Sequence, residues 1–308
     1  MEGIEELVYQ RLKSDAALSS MLCKFSGKPA IFYQLAPDDR QSGWENGGQC
    51  PRVVYDLDKQ ADIERKSSGT LVVQTFCYRD GIEPETLEPL VAACLKDVLI
   101  NPDGGFPYCF AWARTIPFDI PKHEDGDKNR RIIGQEIHFD VIEYPAQETT
   151  DPDPVAALDN FLAEQYPEAV VVGLSRMGHF TEASAEQPVL YCRMLGSETE
   201  SVSNTVVRMN ARISVHVICS DPAIRLKLAA DIQYRVASVA EIIMLDGSPM
   251  RPVRLSMNNT ADYLKEGQIE GVYHYGVLRY RAKPHRITSA NVGVNLHDPP
   301  YIEDYSRR

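Results

Sequence analysis

The chain has 308 residues, 44 acidic against 32 basic side chains, a formal net charge of −12 and 44% apolar residues. That balance is ordinary for a globular protein and argues against general attraction to nucleic acid or to an anionic membrane. No apolar run approaches the roughly 18 residues of a membrane helix, and the length allows two halves of about 150 residues, each large enough to bury its own core.

The N-terminus, MEGIEELVYQ, carries acidic residues where a secretory signal is basic and then apolar, so a soluble, cytoplasmic chain is expected. Ile4, Leu7, Val8 and Leu12 recur at helical spacing. Ala30-Ile31-Phe32-Tyr33 is a short apolar segment, followed by a polar loop to residue 50. PRVVYDL (51–57) and TLVVQTFCY (70–78) are rich in β-branched and aromatic residues and read as strands. Leu87, Leu90, Val91, Cys94, Leu95 and Val98 form one helical stripe. Thr86 is its expected N-cap, which places Pro89 in the first turn, where a missing N–H is tolerated. NPDGG (101–105) stops the helix, and strands follow around 107–116 and 132–144, either side of the charged loop PKHEDGDKNRR.

Residues 146–154, AQETTDPDP, are polar and acidic and read as a linker. Asp153-Pro154 then supplies an N-cap and a first-turn proline for a helix whose apolar face is Val155, Leu158, Phe161 and Leu162. AVVVGL (169–174), PVLYCRML (188–195) and VVRMNARISVHVIC (206–219) are strand-like. Asp221-Pro222 caps a helix with the stripe Ile224, Leu228, Ile232, Val236 and Val239, and MRPVRLSM (250–257) and GVYHYGVLRYR (271–281) complete the set.

The order helix, three strands, helix, two strands is thus read twice. IHFDVIEY (137–144) lies ungapped over YHYGVLRY (273–280), LVVQTFC (71–77) over ISVHVIC (213–219), and Pro51 over Pro188. The expected fold is α+β: two tandem similar domains, 1–146 and 147–284, each a mainly antiparallel sheet with helices packed on one face, and an extended arm, 285–308. Apolar residues occupy both parities of FDVIEY and YGVLRY. The helix-free face therefore needs a second packing surface, and oligomerisation is its simplest source.

Signatures of chemistry are few. No G-x-G-x-x-G, G-x-x-x-x-G-K-[ST] or G-x-S-x-G occurs, and the seven histidines form neither HxH nor HxxxH. The seven dispersed cysteines contain no CxxC and read as buried reduced thiols. His138/His274 and Cys77/Cys219 match between the halves and read as inherited strand positions. Asp125, Asp127, Asn129 and Glu136 fall at positions 1, 3, 5 and 12 of a calcium loop. Arg130 stands where that loop requires Gly, and a strand follows instead of a helix, so the four are weak metal candidates. No catalytic residue and no cofactor is expected. Loops 35–50, 117–131, 175–187 and 256–268 are long for a compact domain, and such loops either bind something or are disordered. The last 24 residues lack a sustained periodicity yet hold Val292, Val294, Leu296, Tyr301, Ile302 and Tyr305, an interaction set that reads as an extended arm on a neighbouring subunit or as a tail that packs back on its own domain or frays.

The first half, with its short N-terminal helix, PAIF (29–32), PRVVYDLD (51–58), a variable polar stretch, TLVVQTFCY (70–78), a helix and FDVIEY (139–144), resembles the tail terminator, or tail completion, proteins of long-tailed bacteriophages. The second half does so more weakly, through the repeat. The resemblance implies a ring, commonly of six domains, that ends polymerisation of the tail tube and offers a surface to the head. Its partners would be copies of itself (a trimer or hexamer of this chain), the tail tube protein and the head-completion or connector protein. The setting would be a virion tail or neck assembled in the bacterial cytoplasm, with no catalysis, no membrane and no sequence-specific nucleic-acid binding. The family usually has one domain per chain, so the second copy and the arm are departures. The alternatives are a neck or baseplate adaptor with the same domain, an α+β small-molecule enzyme, and a monomeric binding module.

Overall fold

The computed structural model describes residues 3–45, 48–60, 68–120, 131–146 and 152–279. The first half holds α1 (Ile4–Ser14), α2 (Ala16–Met21), β1 (Lys24–Phe25), β2 (Lys28–Pro29), β3 (Ile31–Tyr33), β4 (Arg52–Lys59), β5 (Gly69–Tyr78), α3 (Pro84–Leu95), β6 (Val98–Ile100), β7 (Tyr108–Ile120) and β8 (Ile132–Glu143). The second holds α4 (Pro154–Gln165), β9 (Val170–Val171), β10 (Phe180–Glu182), β11 (Val189–Val202), β12 (Val206–Ile218), α5 (Pro222–Ser238), β13 (Ile242–Ile243), β14 (Pro249–Met257) and β15 (Ile269–Leu278).

Local chemistry sets most of these boundaries. All four apolar positions of the α1 stripe are buried. Asp153 starts α4 by accepting the Val155 and Ala156 amides at 2.9 and 3.1 Å, and Asp221 starts α5 by accepting those of Ala223 and Ile224. The third helix departs from expectation. Its N-cap is Glu83, not Thr86, and its first residue is Pro84, so Pro89 lies inside the helix. Pro89 is exposed, so the Glu85 carbonyl that it deprives of a partner faces water. The helix also ends early: Asp97, at φ 55°, turns the chain so that Val98 opens β6. Val98 still joins the cluster of Leu87, Val91, Cys94 and Leu95, which is why it fits the helical stripe.

The sheets run β10-β6-β7-β8-β5-β4-β3 and β13-β14-β15-β12-β11-β9. Apart from β10 the two orders correspond strand for strand, giving an α+β fold in two similar halves. In each, the short strand after the first helix pairs parallel with its neighbour (β3 with β4, β9 with β11), and the other pairs are antiparallel. Both halves also skip one residue in the same strand pair, Ala113 opposite β8 and Val253 opposite β15. Residue identity is a weaker guide than strand order. Leu71 faces Phe139, whereas Ile213 faces Gly271, not Tyr275. The LVVQTFC/ISVHVIC and IHFDVIEY/YHYGVLRY matches are therefore four residues out of step. An even slip keeps every side chain on its face. The Pro51/Pro188 match is in step: Arg52 faces Phe76 as Val189 faces Ile218.

Helices cover one face of each sheet. Leu7, Leu12, Leu87 and Val91 pack on Val53, Leu71, Val73, Ile137 and Phe139. Leu158, Leu162, Ile232 and Val236 pack on Cys192, Ile213, Val215 and Tyr273. A third core joins the halves. Leu99, Cys109, Ala111, Ile142 and Tyr144 meet Val170, Val172, Ala183, Val189, Tyr191, Ile218 and Leu264. These residues alternate with helix-side ones (Leu99 between Val98 and Ile100, Tyr191 between Leu190 and Cys192), so they occupy the helix-free sides. Much of the second packing surface that the strand parity demands is thus the other half of the same chain.

Candidate assembly surfaces

The junction between the halves combines strand addition with a buried seam. β10 adds to β6 with Phe180 opposite Ile100 and Glu182 opposite Val98. The Asn101 amide donates to the His179 carbonyl and the Ala183 amide to the Asp97 carbonyl, both at 2.9 Å. Arg11 on α1 reaches Glu182 at 2.6 Å. Inside the seam the rings of Tyr144, Tyr191 and His216 lie 4.9–6.1 Å apart. Their polar tips are placed: Tyr144 donates to the Leu264 carbonyl and Tyr191 to the Pro145 carbonyl, each at 3.0 Å. Tyr263 donates to Asp97, and Lys265 pairs with Asp140. Burial lowers the His216 pKa to about 4, so the neutral ring donates its Nδ1–H to the Tyr263 carbonyl at 3.0 Å. Two of the long loops pack against the first half of the same chain: 175–187 carries β10, and 256–268 carries Tyr263, Leu264 and Lys265.

Elsewhere on the helix-free face of the first sheet runs an aromatic belt. Phe25, Phe32 and Trp44 meet edge to face at 5.1–5.8 Å. The Arg52 guanidinium, held by Asp39 at 2.7 Å, lies 5.9 Å from the Trp44 ring and 5.2 Å from that of Phe76. Phe118 reaches across β8 to Phe76 at 5.2 Å. It crosses at Gly134, where a Cβ would collide with the Phe118 ring and the Thr75 carbonyl. These rings are half-buried. At the other end of the chain Ile243, Leu245 and Val253 are exposed on and beside β13 and β14. Among the described residues two long strands also keep largely unpaired edges: β7 meets β6 only at Tyr108, and β11 meets β9 only at Val189 and Leu190. Trp112, Ile116 and Ile120 are exposed on β7.

Titratable groups are placed mainly as packing. All seven cysteines are free, and burial pushes Cys50 and Cys109 up to about 12 and Cys77 and Cys94 to about 11, so they stay thiols. Asp159 on α4 sits against Cys192, and burial raises its pKa to about 7. The sequence reading missed it, although Asp159 lies one turn after Val155 on the buried stripe. A half-open depression of about 360 Å³ on the second sheet is lined by Arg193, Ser214, His216, Gln268 and Glu270 among others. Among the described residues no three His, Cys, Asp or Glu side chains converge as a metal site. Asp125, Asp127 and Asn129 lie outside the described residues. Glu136 accepts from Gln74 at 2.8 Å and faces His138 at 3.5 Å, while His274 faces Glu200 at 3.2 Å. Val292, Val294, Leu296, Tyr301, Ile302 and Tyr305 also lie outside the described residues. No helix among those described is long and apolar enough to cross a membrane. Compared with known proteins, the chain matches no protein-family model and no curated protein sequence.

Proposed function

We propose that this chain is a structural subunit of a phage-like tail, which forms a ring at the end of the tail tube, stops its polymerisation and offers the head a docking surface. One observation carries the reading: the two halves join by burying helix-free sheet faces and adding a strand to an edge. Among the described residues, surfaces of the same kind lie at both ends of the fold, the half-buried belt on one side and the exposed Ile243 edge on the other. Surfaces of this sort support assembly with protein partners. The net charge of −12 suits a wall past which DNA travels without sticking. The test is electron microscopy of the purified protein alone and with tail tube subunits. Annular particles, or tubes capped at one end and halted in growth, are expected. Single chains that neither associate nor attach to a tube end would overturn the reading, and attachment without arrest of growth would favour the adaptor alternative.

A further inference from the structure

We infer that copies of this chain associate head to tail by repeating the internal junction, with the Ile243 edge of one copy seated on the aromatic belt of the next. The inference rests on the assembly reading above and deepens it by naming both surfaces.

The first surface follows from strand equivalence. β13 occupies in the second sheet the place of β6 in the first. Val98 and Ile100 enter the helix-side core of the first half, and Ile242 and Met244 enter that of the second. Between them Leu99 is 0% exposed, because the second half covers it, while Ile243 is 58% exposed. Leu245, on the same side of the chain two residues on, is 43% exposed. The outer edge of β6 is paired with β10, whereas that of β13 has no partner strand among the described residues. The second half therefore repeats the surface by which the first half is held, and the described residues leave it open.

The second surface follows from register. The second half grips the first with Val172, Val189, Tyr191 and Ile218. Val189 faces Ile218 as Arg52 faces Phe76, which places Arg52, Val54 and Phe76 at the sites of Val189, Tyr191 and Ile218. Val171 faces Leu190 as Ile31 faces Val53, which places Phe32 at the site of Val172. Phe32, Arg52 and Phe76 are members of the belt. The segment equivalent to the β10 loop is the loop after β3, which carries Leu35 and Trp44; Leu35 is 82% exposed. The two ends of the chain thus reproduce the two sides of a contact already made within it. A contact between unlike surfaces propagates from copy to copy and closes into a ring when the rotation per copy divides a full turn. The occupant of each bare surface is therefore a second copy.

The experiment uses light scattering on the full chain at micromolar concentration, with Ile243→Asp to disable one surface and Trp44→Ala to disable the other. Leu245→Asp and Leu35→Asp, at exposed positions, serve as duplicates in case either variant folds poorly. The full chain is expected to assemble, and each variant to fall to the mass of a single chain with unchanged circular dichroism. Mixing the two variants in equal amounts is expected to restore one contact per pair, giving a 1:1 dimer and nothing larger. Assembly by Ile243→Asp and Leu245→Asp equal to that of the native chain would overturn the inference and leave the assembly reading standing. So would a mixture that yields no dimer. Loss of assembly on removing residues 285–308, with Ile243→Asp assembling normally, would assign the contact to the arm instead. A full chain that stays single and never caps a tube would remove the underlying reading and the inference with it.

Discussion

Asp159 and His216 are both buried, and their titrations oppose each other. Asp159 ionises near pH 7 in the folded chain and near 3.9 when unfolded. Between those values the folded state holds a proton that the unfolded state has released, so stability falls as pH rises through the interval. His216 titrates near 4 when folded and near 6.5 when unfolded. There the unfolded state holds the extra proton, so stability falls as pH drops through the same region. Asp159→Asn is expected to stabilise the chain at about pH 8 by a few kcal/mol and to have little effect near pH 4. His216→Gln is expected to flatten the acid limb alone. Urea midpoints across that range check both, and an Asp159→Asn gain independent of pH would refute the assignment. Gly134 offers a steric counterpart. Gly134→Ala drives a Cβ into the Phe118 ring and the Thr75 carbonyl, and is expected to cost about 1–3 kcal/mol. The loss should be smaller in a Phe118→Ala background, because one of the two obstacles is then gone.

Elements written in local chemistry were legible from the sequence. The caps at Asp153 and Asp221 need only an acid, a proline and the next two amides, all within four residues. Asp153→Ala is expected to destabilise by about 1–2 kcal/mol, because its side chain is buried with both amides, and Asp221→Ala by about 0.5–1 kcal/mol. Thermal unfolding of the two variants reads the difference; an equal or reversed order would mean that burial does not deepen the cap. Elements decided by distant partners were not legible. Phe180-Thr181-Glu182 has no strand signature, and its pairing is set by the edge of β6, some 80 residues earlier. The polar end of β11, Gly196–Val202, is a strand because β12 pairs with it, not because of its own side chains. Pro89 points to a helix start at Thr86, whereas Pro84 supplies the earlier start that the fold uses. The belt was half legible: Phe32 and Phe76 sit in recognisable strands, but only the fold brings Trp44 and Phe118 to them.

At the scale of the whole molecule the question is whether the halves are two bodies or one. A composition break at residues 146–154 favours two, since such linkers separate independently folding units. The junction favours one. It removes Leu99, Tyr144, Val189 and Ile218 from water and adds a strand to the first sheet, so neither half keeps its full sheet and core without the other. Cooperativity follows shared burial, because a core cannot lose one wall and keep its packing. The chain is therefore expected to unfold in a single calorimetric transition. Leu99→Ala truncates a fully buried side chain at the seam, and is expected to cost roughly 2–5 kcal/mol and to move that whole transition down. Ile243→Ala, at the equivalent but exposed site, is expected to change the stability of a single chain by under about 0.5 kcal/mol. Two resolved transitions, with Leu99→Ala shifting only one, would mean that the seam is a contact between independent bodies.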